Sequence, residues 1–481
     1  KRALIPFQDT AASGHGQGIV FKSPIATNIT SENFIGFAHA AYADGQKATV
    51  KTTGSIARNI PQIASASNTL GSKVIFESGS TALISQTFDS NSNRVVIAYA
   101  DADDSNKGKA VVGSIDPSDN SITYGTAVEF NSGTTTMVAC GFDSDSNKVV
   151  IAYSDGGNSY HGTAKVGTVD SSDNSISFGS ATVYESASIN DSGPQSITFD
   201  SNSNKIVIAY RDVGNSNYGT AIVGTVSGTS ISFGTAVVYE SARAISPAAI
   251  FDSSNNKVVI AYRDLGNSDY GTAIVGTVSG TGISFGTAVV FETAESNEIG
   301  ATFDSSNNKV VIAYSDEGVN GQGTAIVGTV SGTSISFGTA VVFDSDNSNI
   351  PSLTFDTNAN KVVIAYQDRG TDGSDQGTVI TGSVSGTSIT FDTATEFDDS
   401  DVNSIGCTFD SNSKRVSIAY ADQGNSTYGT GIIVTPAGTP EDLTIGQQYF
   451  VQTDGTLGTS ADDPSVIAGT AIGTSDIIVK G

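Results

Sequence analysis

The segment Phe251-Asp-Ser-Ser-Asn-Asn-Lys-Val-Val-Ile-Ala-Tyr-Arg-Asp264 constrains this chain more than any other feature, because it is one of seven copies. Its opening Phe-Asp recurs at Phe88, Phe142, Phe199, Phe251, Phe303, Phe355 and Phe409, at spacings of 54, 57, 52, 52, 52 and 54 residues. A repeat of this length supplies one supersecondary unit that cannot bury its apolar face alone, so neighbours must stack.

Each copy reads as four strands. Strand A ends at the Phe. In the fourth copy strand B is Val258–Tyr262, strand C is Thr272–Val278 and strand D is Ser284–Glu292. Turns of Asp-Ser-Asn and Ser-Gly-Thr type bound these β-branched and aromatic runs. Strand B is apolar on both faces, with Val258, Ile260 and Tyr262 on one and Val259 and Ala261 on the other. A strand covered on both sides needs that pattern, and each Val or Ile fully buried is worth roughly 1.5–3 kcal/mol. Length varies only between strands: in the C–D turns of the first two copies, the D–A loop of the second and the B–C loop of the sixth.

The seventh copy stops after Gly429–Val434, without a strand D. A matching segment, Leu70–Glu77, lies ahead of the first copy and aligns with Phe233–Glu240. The expectation is an all-β chain: a seven-bladed β-propeller over 63–437, its last blade completed by the N-terminal strand, which removes a sheet edge. Closure of this kind brings Gln62 and Pro440 together. Residues 1–62 and 438–481, read as short strands and turns, then form two halves of a small β-rich domain into which the propeller is inserted.

Composition narrows the partners. Asp and Glu number 49 against 23 Lys and Arg, a net charge of −26. Such a surface repels phosphate backbones and anionic lipid, which argues against nucleic acid and membrane surfaces. No apolar run approaches the length of a membrane helix. The first residue is Lys, so the sequence reads as starting after processing or partway along a longer protein. Cys140 and Cys407 are the only cysteines, which excludes a disulfide framework and a cysteine zinc site. Both sit two residues before the Phe of their copies and read as small buried hydrophobes.

Several patterns invite chemistry. Asp101, Asp155, Asp212, Asp264, Asp316, Asp368 and Asp422 close every strand B. They offer a ring of carboxylates for cations, or each caps its own turn. Presence in all copies favours the second reading. Asp143-Ser-Asp-Ser-Asn147 and its equivalents match the first half of a calcium loop but lack the Gly and the distal Glu, so a hairpin turn is preferred. Structural calcium stays open; no other cofactor is expected. Arg211 and Arg263 stand where other copies carry Ala, Ser or Gln; Tyr218 and Tyr270 begin strand C, and Arg243 lies between strands D and A. On one end of the repeats, basic and aromatic groups suit stacking on and hydrogen bonding to a glycan; ordinary surface variation is the alternative. No G-x-S-x-G elbow, P-loop or H-E-x-x-H occurs, His15, His39 and His161 are scattered, and Trp is absent, so no enzyme is indicated.

Thr30-Ser-Glu-Asn-Phe-Ile-Gly-Phe-Ala38 with Ala41–Gln46, and Leu443–Leu457 with Ile467–Ala471, resemble the two halves of a β-domain found in tail-fibre and other virion structural proteins of marine bacteriophages. The propeller repeat is similar to repeats in the same proteins, although their two halves are usually contiguous. The resemblance implies an extracellular virion protein, a tail fibre or other appendage, that packs against other virion proteins, forms a homo-oligomer and attaches to a host-surface glycan or receptor. A secreted or cell-surface bacterial adhesin or lectin, and a glycan-cleaving propeller enzyme, are the alternatives.

Overall fold

The computed structural model describes residues 2–8, 16–22, 36–38, 50–52, 67–189, 194–370, 374–439, 448–451, 457–458, 466–471 and 477–478. The chain divides into two compact units, Lys1–Ala66 with Thr439–Gly481, and Ser67–Gly438. In the first, Arg2–Gln8 pairs with Gly16–Lys22, and Gly36–Ala38 with Val50–Thr52. Gln448–Val451 lies in a four-stranded sheet with Leu457–Gly458, Val466–Ala471 and Ile477–Ile478. Most of the virion-like motifs fall outside the described residues.

The second unit is all-β and antiparallel. In the fourth copy, Lys257–Asp264 (strand B) pairs on one side with the end of Val237–Asp252 and on the other with Tyr270–Ser279 (strand C). Strand C then pairs with Gly282–Phe285 and with the start of Val289–Asp304. Strand D is therefore interrupted at Gly-Thr-Ala, not continuous as the sequence suggests. The reason is a close approach. A Cβ on Gly286 would fall inside the Thr333 carbonyl oxygen in the next copy's C–D turn, and Gly234 meets Thr281 in the same way.

The expected D–A loops are also absent as loops in six places. Val74–Asp89, Val128–Asp143, Val237–Asp252, Val289–Asp304, Val341–Asp356 and Thr395–Asp410 each run through as one strand of 16 residues. Each pairs first with strand C of one copy and then with strand B of the next. A register shift interrupts the pairing with strand B, and a residue in the left-handed region turns the chain there: Leu83, Met137, Ser246, Glu298, Ile350 and Ser404, at φ 47–55°.

Stacking follows the two-faced strand B. Val259 and Ala261 of the fourth copy share a core with Val310, Ile312 and Tyr314 of the fifth. The same exchange joins every successive pair, and also places Ala419 and Ala421 of the seventh copy with Val95, Ile97 and Tyr99 of the first. An aromatic of strand D packs on the next strand B tyrosine each time, as in Phe291–Tyr314 at 5.2 Å and Phe76–Tyr99 at 5.3 Å. Tyr428–Thr435, strand C of the last copy, pairs with Thr69–Leu70 and with Val74, Ile75, Glu77 and Ser80. Cys140 and Cys407 are buried and free, as expected of small core residues. Burial pushes the Cys407 thiol up to about 12.

Candidate functional site

Six of the aspartates that close strand B, Asp101, Asp155, Asp212, Asp264, Asp316 and Asp422, cap the turns that follow. Asp264 accepts from Gly266 N at 2.9 Å, Asp212 from Asn215 N at 3.0 Å, and Asp101 from the amides of Asp103 and Asp104 at 3.1 Å. Each of the five single-turn 3₁₀ helices that follow a strand B carries such a cap. The carboxyls of Asp212, Asp264 and Asp316 are held above their ordinary range, first by burial and then by the neighbouring Glu185, Glu240 and Glu292. Those glutamates are bound in turn. Tyr210, Tyr262 and Tyr314 donate to them at 3.0 Å, linking strand B to the strand D before it.

The residues singled out in the sequence fall into two local groups. In the third copy, Tyr218 lies directly across from Arg243 on the neighbouring strand, and both are half-buried. Arg211 is also in this copy, but only 2% of its surface is exposed, so its side chain belongs to the interior. In the fourth copy, Tyr270 lies across from Glu295. Glu295 binds the Arg263 guanidinium at 2.8 Å, Asp269 does so at 3.0 Å, and Asn297 accepts a further short bond from it. Arg263 is thus fixed in its plane by three partners, one of which, Glu295, lies across from half-exposed Tyr270.

Two further features escaped the sequence reading. The left-handed residues of the crossing strands converge on a cavity of about 800 Å³. Leu83, Met137, Ser246, Glu298, Ile350 and Ser404 line it, together with Pro194 from the D–A loop of the second copy. Nothing in the sequence shows that position 298 points inward. Between the fifth and sixth copies, one carboxylate oxygen from each of Asp344, Asp346 and Asp368 lies within 4.8 Å of the others, an arrangement able to hold a cation. Burial raises the Asp344 carboxyl, offset in part by the bond it accepts from the Asp346 amide. The calcium-like aspartates at the opposite end have another task. Asp89, Asp143, Asp200, Asp252, Asp304, Asp356 and Asp410 each accept two backbone N–H bonds from their own A–B turns.

No protein-family model and no curated protein matches the chain. Among solved structures it is similar to the BP39L lectin from Burkholderia pseudomallei, with a TM-score of 0.54 and 11% identity, covering 75% of this chain and 98% of that one. It is also similar to a leech intramolecular trans-sialidase complexed with 2,7-anhydro-Neu5Ac, with a TM-score of 0.43 and 9% identity, covering 75% of this chain and 69% of that one. The fold is β-propeller-like. At these identities the likeness concerns architecture alone, and function has to be argued from the site.

Proposed function

We propose that this chain is the adhesive part of a virion appendage, a tail fibre or a related component, in which seven blades close into a propeller that binds a host-surface glycan. Closure is supported by the pairing of residues 428–435 with 69–80 and by the core shared between the seventh and first copies. Arg415 adds to it by donating to Asn120 and to the Pro117 carbonyl at 2.6 and 2.9 Å. The ring is inserted between residues 1–62 and 438–481, which act as one anchoring domain against other virion proteins.

The binding reading rests on Tyr218 across from Arg243 and on Tyr270 across from Glu295, which holds Arg263. A sugar ring has an apolar face that stacks on an aromatic ring and hydroxyls that bond in plane to fixed polar groups. A half-exposed tyrosine across from a carboxylate that holds a fixed guanidinium offers both. With a net charge of −26, recognition proceeds by stacking and hydrogen bonding rather than by attraction of anions. A lectin of similar fold is compatible with this reading. Binding without turnover is favoured because six of the seven strand B carboxylates are committed to their own turns.

The test is glycan-array and host-cell attachment of the whole chain and of Tyr218→Ala/Tyr270→Ala, with immunogold labelling of phage particles. At least a tenfold loss of attachment, with labelled fibres, is expected. Unchanged attachment by a folded variant rejects the site, and label on bacterial cells alone points to an adhesin. Release of sugar from polysaccharide overturns the non-enzymatic reading.

A further inference from the structure

Successive copies meet in a repeated way. The second apolar residue of strand B, a valine in six copies, shares a core with the residue two places before the next copy's Phe, as Val259 does with Ala301 and Val363 with Cys407. The same holds at all six joins along the chain from the first copy to the seventh. Where the seventh copy meets the first, both members change. Ser417 stands in the valine's place, and Gln86 in that of the small or aliphatic residue. Ser417 is wholly buried and Gln86 is 9% exposed. Gln86 Nε2 donates to the Gly406 carbonyl at 2.5 Å and to the Ser417 carbonyl at 2.8 Å. Gln86 Oε1 accepts from Ser417 Oγ at 3.1 Å, so the two side chains satisfy each other.

Two polar side chains placed together in an apolar join add little stability, since well-packed apolar residues of similar volume hold such a place as well. Their better-attested use is to fix which surfaces meet. Near-identical copies need such a device, because the first copy's face otherwise fits the strand B of every copy, in its own chain or in another. Gln86 set against a valine loses the donor to its oxygen. Ser417 set against Ala249 or Leu353 loses its acceptor. A buried polar group left in that state is costly. We infer that Gln86 and Ser417 form a pairing key, by which the first copy accepts a seventh copy and rejects the six that carry valine. The count of seven is then set by side chains as well as by the length of the array. This role presupposes the ring closure proposed above.

The experiment refolds the full chain from denaturant and reads the monomer fraction by size-exclusion chromatography with light scattering. The parent, Gln86→Leu, Ser417→Val and the double variant Gln86→Leu/Ser417→Val are compared. Each single substitution is expected to lower the unfolding midpoint. The double variant is expected to regain most of that loss, because leucine against valine repeats the meeting of Leu353 with Val311. It should nonetheless return roughly half the parent's monomer, the balance being oligomers of mispaired copies. A double variant that refolds to monomer as fully as the parent, or single variants as stable as the parent, overturns the pairing role. Hydrogen exchange reads closure separately: residues 70–77 are expected to be as protected as their internal counterparts 233–240. Rapid exchange at 70–77 in the folded parent overturns closure and the key together. Protection there, with a fully monomeric double variant, overturns the key alone.

Discussion

The two ends of the repeat array use similar residues for different ends. At the A–B and C–D end, all seven Phe-Asp aspartates make the same pair of backbone bonds, and their side chains are almost wholly buried. The strand D glycines at this end lie against the next copy's C–D turn. At the B–C and D–A end the same left-handed turn recurs at the six described crossings, but the side chains there differ from copy to copy. The lesson is mechanical. Copies are fastened to one another at one end, through backbone contacts that admit little change. That leaves the other end free to carry Leu, Met, Ser, Glu or Ile on one fixed scaffold.

The sharpest way to break this comparison is at the fastened end. Gly234→Ala puts a methyl group into the Thr281 carbonyl, which belongs to a paired turn and cannot swing away. A loss of about 3 kcal/mol in denaturant unfolding is expected. The sixth copy provides the internal control, because Asp392 replaces the glycine there. The seventh copy has no continuous C–D turn for it to strike. Asp392 instead binds Lys361 at 2.8 Å and Thr381 at 2.7 Å. Asp392→Ala should therefore cost only about 1 kcal/mol. Equal losses at both positions would mean that the close approach is not what selects glycine.

A smaller effect compares the two sets of aspartates directly. Asp252 is 1% exposed and accepts from Ser254 N, Asn255 N and the Asn255 side chain, each at 2.9 Å. Its replacement by Ala strands buried donors and is expected to lower stability by about 2 kcal/mol. Asp264→Ala at the other end removes a turn cap and should cost about 1 kcal/mol. Matched chemical-denaturation curves decide between them, and the reverse order would undo the assignment of the fastened end.

Much of this was legible in the sequence because it repeats. The copy spacing, the two-faced strand B and the displaced Leu70–Glu77 all follow from hydrophobic pattern, and the described strand pairing places them accordingly. The interrupted strand D and the strand-like D–A crossings were not legible, since both depend on where a neighbouring copy's backbone lies. Arg211 and Arg263 stood out by departing from the template. Departure alone does not distinguish an outward cation from an interior one: Arg211 is buried, and Arg263 is tied to three partners. Glu298 was hidden for a related reason, because its inward direction is set by a left-handed backbone that a Glu does not advertise.

The smallest prediction concerns a variation that sequence alone displays but does not explain. The residue after each A–B turn is Lys in five copies and Arg in two, Arg94 and Arg415. The C–D turns of the first and second copies are the longer ones. Arg94, in the first copy, donates to Asn174 and the Ser171 carbonyl in the second copy's long turn, at 2.5 and 2.8 Å. Arg415, in the seventh, donates to Asn120 and Pro117 in the first copy's long turn. Arginine thus occurs wherever the next turn is long, and in the seventh copy the next turn is that of the first. Lysine has neither the fork nor the reach to bond both groups. Arg415→Lys should cost about 1 kcal/mol, and Lys309→Arg, facing a short turn, close to nothing. A double-mutant cycle of Arg415→Lys with Asn120→Ala should give a coupling of about 0.5 kcal/mol. Zero coupling, with Arg94 and Asn174 still coupled, would show that the join between the seventh and first copies is looser than the joins within the array.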